Sequence, residues 1–366
     1  MSSYPRVTAK TEKLRENIDT AIRECKEAGI RVAGVIKGFH GIKEFLPVYL
    51  ESNLNELASS RIEQLKRARD MGWTGGLMLV RVPMISEAED VVTITDTSLN
   101  SETAVLEALN QAALKLTPNK PHKVILMADL GDLREGFWDK EEMISTAVRV
   151  EKEMPGLHLA GVGTNIGCYG ALVPTKEKTE ELIPIAREIE ERIGRKLEIV
   201  SGGASTSYMR LTDGDMPEGV NHLRLGENIL LARDNEVYHG HSTEPMNQNI
   251  FTLQAEVIEV KDKPSYPQGQ IHVDAFGHTP YYEDRGIRKR ALVAVGRVDI
   301  GDFNDIFPKM EGVEILGGSS DHTILDVQQV FDAGGEIKVG DILEFDLNYG
   351  SLVFLTGSEN VHFVLE

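Results

Sequence analysis

Over its first two-thirds the chain alternates short apolar runs with stretches of helical period, and this alternation points to the α/β class. Eight runs have strand character: Arg31–Lys37, Glu56–Ser60, Leu77–Pro83, Val91–Asp96, Lys123–Leu130, Leu157–Thr164, Leu197–Ser201 and Asn221–Gly226. Between them lie amphipathic patterns. In Thr11–Glu27 the residues Leu14, Ile18, Ala21, Ile22 and Cys25 share one face, and in Glu180–Ile193 an apolar stripe is closed by Gly194. Eight strands alternating with helices predict a (β/α)8 TIM barrel, with a doubly wound sheet as the alternative. In a barrel, functional side chains gather at the C-terminal ends of the strands. Lys37, Asp129, Asn165, Ser201 and Arg224 fall there.

The polar stretch Arg233–Asn249 interrupts this pattern. Beyond it the period becomes strand-like, in FTLQAEVIEV, QIHVDAF, RALVAVGRV, VEILGG, HTILDV, DILEFDL and SLVFL, with no long helical pattern after about residue 245. The expected organisation is a barrel over residues 10–240 and a C-terminal β domain over 245–366, to which residues 1–9 can be joined.

Composition excludes several functions. The net charge is −19, from 39 basic and 58 acidic residues among 366, whereas a nucleic-acid partner calls for a basic footprint. No run approaches the ~20 apolar residues of a membrane span, and the first residues lack the apolar core of a signal peptide. Cys25 and Cys168 make no disulfide framework and read as reduced thiols of a cytoplasmic protein. No HExxH, CxxC or EF-hand pattern supports a metal, and no P-loop is present.

Four segments can carry chemistry. Lys37 ends an apolar run, where desolvation lowers an amine's pKa and frees it to form an imine; a lysine there can also simply extend to solvent. Glu198–Ser207 (EIVSGGASTS) offers backbone N–H groups and hydroxyls suited to a phosphate, or is an ordinary glycine-rich loop. His222, Arg224 and Gly226 alternate on one face of a strand, and a buried arginine there needs a partner: a carboxylate or a heteroaromatic nitrogen. Met127–Gly136 (MADLGDLREG) crowds Asp129, Asp132, Arg134 and Glu135 at a strand end, as a site or as a solvated loop.

Taken in order, MADLGDLREG, GTNIGCYGALVPT and GGSSDHTILDV resemble the pyridoxal-5′-phosphate (PLP)-dependent alanine racemase superfamily, and within it the ornithine/alanine racemase branch. The resemblance spans nearly the whole chain. It implies that Lys37 holds the cofactor as an imine and serves as one base. It implies that Arg224 meets the pyridine nitrogen, that Gly226 and Glu227 hold the phosphate, and that Ser201, Gly203, Ser205 and Thr206 form the adjoining loop. Tyr349 of DLNYGSL matches a tyrosine that reaches the phosphate. Arg134 and Asn165 match positions beside the cofactor, Asn165 standing where better-known alanine racemases carry a histidine. Substrate contacts fall on Arg134, Arg297, Ser320 and Asp321, and the family's homodimers share sites between subunits.

The chain departs from the family where it matters for proton transfer. The Gly-Tyr-Ala-Asp motif, whose tyrosine is the second base, is matched by Gly296-Arg297-Val298-Asp299, and arginine stays protonated. His322 is the first replacement to consider, followed by Cys168, Tyr169 and His278; His322 can equally be structural, bonded to Asp321 or to backbone. Lys37 is followed by Gly-Phe-His where many alanine racemases have Ala-Asn-Ala-Tyr, so His40 stands near the place of a phosphate-contacting tyrosine. The expected activity is interconversion of L and D forms of a free amino acid: ornithine, another basic amino acid, or alanine. Alternatives are a PLP-dependent decarboxylase of the same architecture and a catalytically idle relative.

Overall fold

The computed structural model describes residues 3–274 and 276–366. It divides into two compact units, one of residues 12–248 and one of residues 249–366 with the segment leading to Thr11. Strand β1 (Arg6–Ala9) belongs to the second unit.

The first unit is a closed eight-stranded parallel barrel. Its strands are β2 (Arg31–Val35), β3 (Glu56–Ser59), β4 (Gly76–Leu79), β5 (Thr97–Asn100), β6 (His122–Ala128), β7 (Leu157–Thr164), β8 (Ile199–Ser201) and β9 (His222–Leu225). β9 returns to β2, with Arg31 opposite His222, and closes the ring. The expected TIM barrel is therefore the fold, and the doubly wound alternative is not. Closure buries both faces, so Leu57, Leu77, Leu126 and Leu223 are all fully enclosed. The helices follow their sequence signals. Asp139 caps the helix Lys140–Glu153 by accepting from Glu141 N and Glu142 N (2.8 and 3.2 Å). Gly194, at φ 78°, ends the helix Leu182–Ile193 in the left-handed region, where a side chain would be strained.

One strand assignment is corrected. Val91–Asp96 was expected to be extended, but Ala88–Ile94 is a helix that buries Ala88, Val91 and Val92 at spacings of three and four. The strand is instead the polar Thr97–Asn100, wholly buried. Its polarity is matched in part: Ser98 Oγ lies 2.9 Å from His122 Nε2 and Asn100 Nδ2 donates to Ser98 O at 2.9 Å, while Asn100 Oδ1 is left unbonded.

The second unit is an antiparallel sheet of β10 (Phe251–Pro264), β11 (Ile287–Val293), β12 (Ile306–Pro308), β13 (Glu314–Gly318), β14 (Thr323–Asp326) and β15 (Ile342–Leu347), ordered β12-β15-β10-β11-β14-β13. β1 pairs antiparallel with β10 and parallel with β16 (His362–Leu365). SLVFL, expected as a strand, lies in the helix Tyr349–Gly357. Its buried Ser351, Leu352, Leu355 and Thr356 make a helical stripe, and so short an apolar run cannot be distinguished by period alone. QIHVDAF forms no strand among its described residues; Ala275 lies outside them.

Candidate active site

Lys37 lies two residues beyond β2. Ile36 N donates to Ala58 O at 2.8 Å, one step past the strand, and the chain then turns through Lys37–Phe39 and His40, at φ 53°. The strand therefore stops short of Lys37, and the turn carries the lysine at the barrel's C-terminal end. Burial, more than any neighbour, pushes its amine below the usual lysine range; Arg134 and Arg224 add to this, while Cys168 and Glu135 oppose it. The amine thus senses two guanidinium groups, a thiol and a carboxylate.

Two carboxylates organise the loops around it. Asp129 Oδ1 accepts from Gly131 N and Leu133 N (2.8 and 3.1 Å), folding the segment that presents Arg134. Asp132, 1% exposed, accepts from four consecutive backbone N–H groups, those of Gly167, Cys168, Tyr169 and Gly170, at 3.0 to 3.2 Å. It ties the loop after β7 to the loop after β6. Arg134 forks onto Glu135 through Nε and Nη2, and its Nη1 donates to Cys168 Sγ at 2.9 Å. Cys168 and Tyr169 are exposed.

Deeper in the barrel, Arg224 is 4% exposed. Its Nη1 donates to Ser201 Oγ and its Nη2 to Thr164 O at 2.8 Å. Burial lowers it from the ordinary arginine value to about 10, even with Glu135 and Glu56 opposing the fall. The partners anticipated for this buried arginine were a carboxylate or a ring nitrogen; those that bond it are a hydroxyl and a carbonyl. Asn165, at the end of β7, is buried with its Nδ2 unbonded. Ser205 Oγ accepts from Gly226 N and Asn228 N (3.1 and 3.3 Å), and Thr206 Oγ1 donates to Ile166 O at 2.7 Å. Gly203 has φ +136°, and a Cβ there would meet Ser207 Oγ at 2.1 Å, so this turn requires glycine. Glu227 turns its carboxylate onto Arg233 N and Asp234 N (2.8 and 3.0 Å).

The remaining sequence candidates assemble in the β unit. Arg297 N donates to Ser319 O and Val298 N to Ser320 O (3.0 and 3.1 Å), which brings Gly296–Asp299 and GGSSDH together. The Arg297 guanidinium lies 4.3 Å over the Phe276 ring. Ser320 Oγ donates to Asp321 Oδ2 at 2.5 Å, and exposed His322 lies 3.2 Å through Nδ1 from Ser319 Oγ. Tyr349 opens the helix Tyr349–Gly357.

A family model for the N-terminal domain of alanine racemase matches residues 10–233. This chain belongs to the alanine racemase family. It is an amino-acid racemase, an isomerase. An ornithine racemase of Acetoanaerobium sticklandii is 41% identical over 350 residues, which is 96% of each chain. A lysine racemase of Thermotoga maritima is 38% identical over 363 residues, which is 99% of each. Among solved structures, an alanine racemase of Clostridium difficile shares the fold, with a TM-score of 0.76 at 18% identity over 100% of this chain and 97% of the other.

Within this member of the alanine racemase family, sequence reasoning missed three groups. Glu56 opens the run ELASS and bonds His222. Thr164 takes Arg224 through its carbonyl, which no side-chain pattern can announce. Asn228 is fully enclosed with neither amide atom bonded, and its only signal was its position two residues beyond Gly226.

Proposed function

We propose that this chain interconverts the L and D forms of a basic amino acid, ornithine or lysine, using PLP bound through Lys37. The observation that carries the reading is Lys37 in the turn at the C-terminal end of a closed barrel, its amine lowered by burial and by the Arg134 and Arg224 guanidiniums. The names of the two relatives support the substrate class.

The residues present fit the cofactor. An amine whose pKa is lowered by burial suits the nucleophile that a carbonyl-bearing cofactor requires. Gly203, Ser205, Thr206 and the backbone of Gly226 and Glu227 form a small-residue cradle of hydroxyl and N–H groups suited to its phosphate; the family resemblance alone adds Tyr349 as a further donor. The unbonded Asn165 Nδ2 is a buried donor beside that cradle's strand. When bound, PLP withdraws electrons from the amino acid's Cα–H bond, so that the proton becomes removable. Arg224, donor only and charged, would face the ring nitrogen of the cofactor and keep it unprotonated. Lys37 moves the Cα proton on one face. His322 moves it on the other, with Cys168 as its alternate, because Arg297 cannot exchange a proton near neutrality. Arg134, Arg297, Ser320 and Asp321 hold the amino acid. The working form is a homodimer, the arrangement in which Arg297 and His322 serve a shared site.

Borohydride treatment of the holoenzyme should fix the cofactor on Lys37, as peptide mapping would read. Lys37→Ala should lose both the fixed cofactor and racemisation. Cofactor trapped on another lysine overturns the assignment. His322→Ala should slow racemisation by ~10²–10⁴ while leaving cofactor binding intact. Following Cα–H exchange in deuterated solvent from each enantiomer separately assigns the face, and unchanged exchange from both removes His322.

A further inference from the structure

We propose that Glu56 is the remote countercharge of Arg224, delivered through His222 and Ser201, and that these three are positioning residues for the arginine. The proposal rests on the reading of Arg224 given above, which it deepens. Arg224 Nη1 donates to Ser201 Oγ; Ser201 Oγ lies 2.8 Å from His222 Nδ1; His222 Nε2 lies 3.2 Å from Glu56 Oε2.

The two ends fix the outer bonds. A guanidinium only donates and a carboxylate only accepts, so Ser201 Oγ accepts from Arg224 and His222 carries a proton on Nε2 toward Glu56. The middle bond follows from the charge of His222: a neutral ring accepts from Ser201 at Nδ1, whereas an imidazolium would donate there. Burial of the ring favours the neutral form, and the relay takes its Nε2–H tautomer. The bonds polarise one another along the chain, and each draws the next acceptor toward greater negative character, so Ser201 accepts from Arg224 more strongly than an isolated hydroxyl.

The arrangement answers a physical difficulty. A carboxylate bonded directly to Arg224 would neutralise it and occupy the donors that the ring nitrogen needs. Glu56 instead opens β3, with a side chain 20% exposed, and with His222 it lines a cavity of about 380 Å3 near the N-terminal ends of β2, β3, β4 and β9. Its charge stays partly solvated there, and a buried ion costs far more. Of the three cations on that cavity, Lys26, Arg31 and Lys123, two are engaged with Glu198: Arg31 Nη2 donates to Glu198 O at 2.6 Å and Lys123 Nζ lies 3.0 Å from Glu198 Oε2. Glu135 opposes the fall in the Arg224 pKa from the mouth side, but it is forked onto Arg134. Glu56 is thus the carboxylate with an unbroken bonded path to Arg224.

The test uses the folding equilibrium of the cofactor-free chain and needs no activity. Glu56→Gln and Arg224→Met are combined in a double-mutant cycle, with Ser201→Ala in place of Glu56→Gln as a second cycle. Glu56→Gln should weaken folding about tenfold more with Arg224 present than in Arg224→Met, a coupling of the size expected for groups in one network. Ring nitrogen NMR of His222 in the unaltered protein should show the Nε2–H tautomer, without titration between about pH 5 and 8. Additive cycles, or a His222 that is protonated or carries its proton on Nδ1, overturn the proposal. In the holoenzyme, Arg224→Lys should shift the visible cofactor band. If the band is unmoved while the cycles remain coupled, the reading of Arg224 fails and the relay stands.

Discussion

Arg134 and Arg224 both act on Lys37, yet they are built in opposite ways. Arg134 stands at the barrel mouth, with a third of its side chain exposed, and forks directly onto Glu135. Arg224, on β9, is buried and bonds only neutral atoms, Ser201 Oγ of β8 and Thr164 O of β7. The mouth settles its charge locally, with paired ions and loops gathered on the Asp129 and Asp132 carboxylates. The interior holds its charge in suspense, with neutral hydroxyl–imidazole contacts (Ser201–His222 and Ser98–His122) in place of ion pairs. An arginine whose own carboxylate sits beside it is stable before any ligand arrives. One without is poised for a ligand, and the fold bears the cost meanwhile.

The largest test of that contrast is pH. Burial lowers His122 to about 4 from the ordinary 6.5. A histidine with a depressed pKa takes up its proton more readily in the unfolded chain, so stability is full above about 6.5 and declines as pH falls toward 4. The loss across that window should be about 3 kcal/mol, read from denaturant melts, and His122→Gln should flatten the slope. A slope that survives the substitution would place the acid sensitivity in other groups, the buried His222 among them.

The smaller test sets the arginines against each other in cofactor-free protein. A drop in the Arg224 pKa to about 10 corresponds to about 3 kcal/mol spent on burying its charge. Arg224→Met recovers this and gives up two hydrogen bonds from a charged donor at about 1.5 kcal/mol each, for a net change near zero. Arg134→Met gives up a partly exposed pair and should lose up to about 1 kcal/mol. A loss at Arg134 without one at Arg224 sharpens the comparison, and equal losses break it.

How much of this was legible in the sequence follows from what each signal depends on. Alternating apolar runs gave away the barrel because closure buries both faces of every strand. Thr97–Asn100 escaped because its polar side chains find partners only once β6 lies beside it. Lys37, Arg224 and the Gly203–Thr206 turn stood out as residue types that are costly at strand ends and need a reason. Asp132 was visible as a charge in MADLGDLREG, but its work on Gly167–Gly170 joins segments that no local pattern connects. The link from Glu56 to Arg224 was hidden for the same reason, since β9 is brought beside β2, and so near β3, only through the ring closure.

The pairing of β1 with β10 and β16 also bears on the order in which the molecule is made. Residues 6–9 leave the ribosome ahead of the barrel, whose parallel strands all follow one another in sequence, yet they have no lateral partner until Phe251 and its neighbours have been synthesised. During translation the barrel can close while this leading strand waits with its edges bare. The β sheet is then sealed by the earliest and latest strands together, a step that lengthening or charging the segment around Arg6 would delay without altering the ring itself.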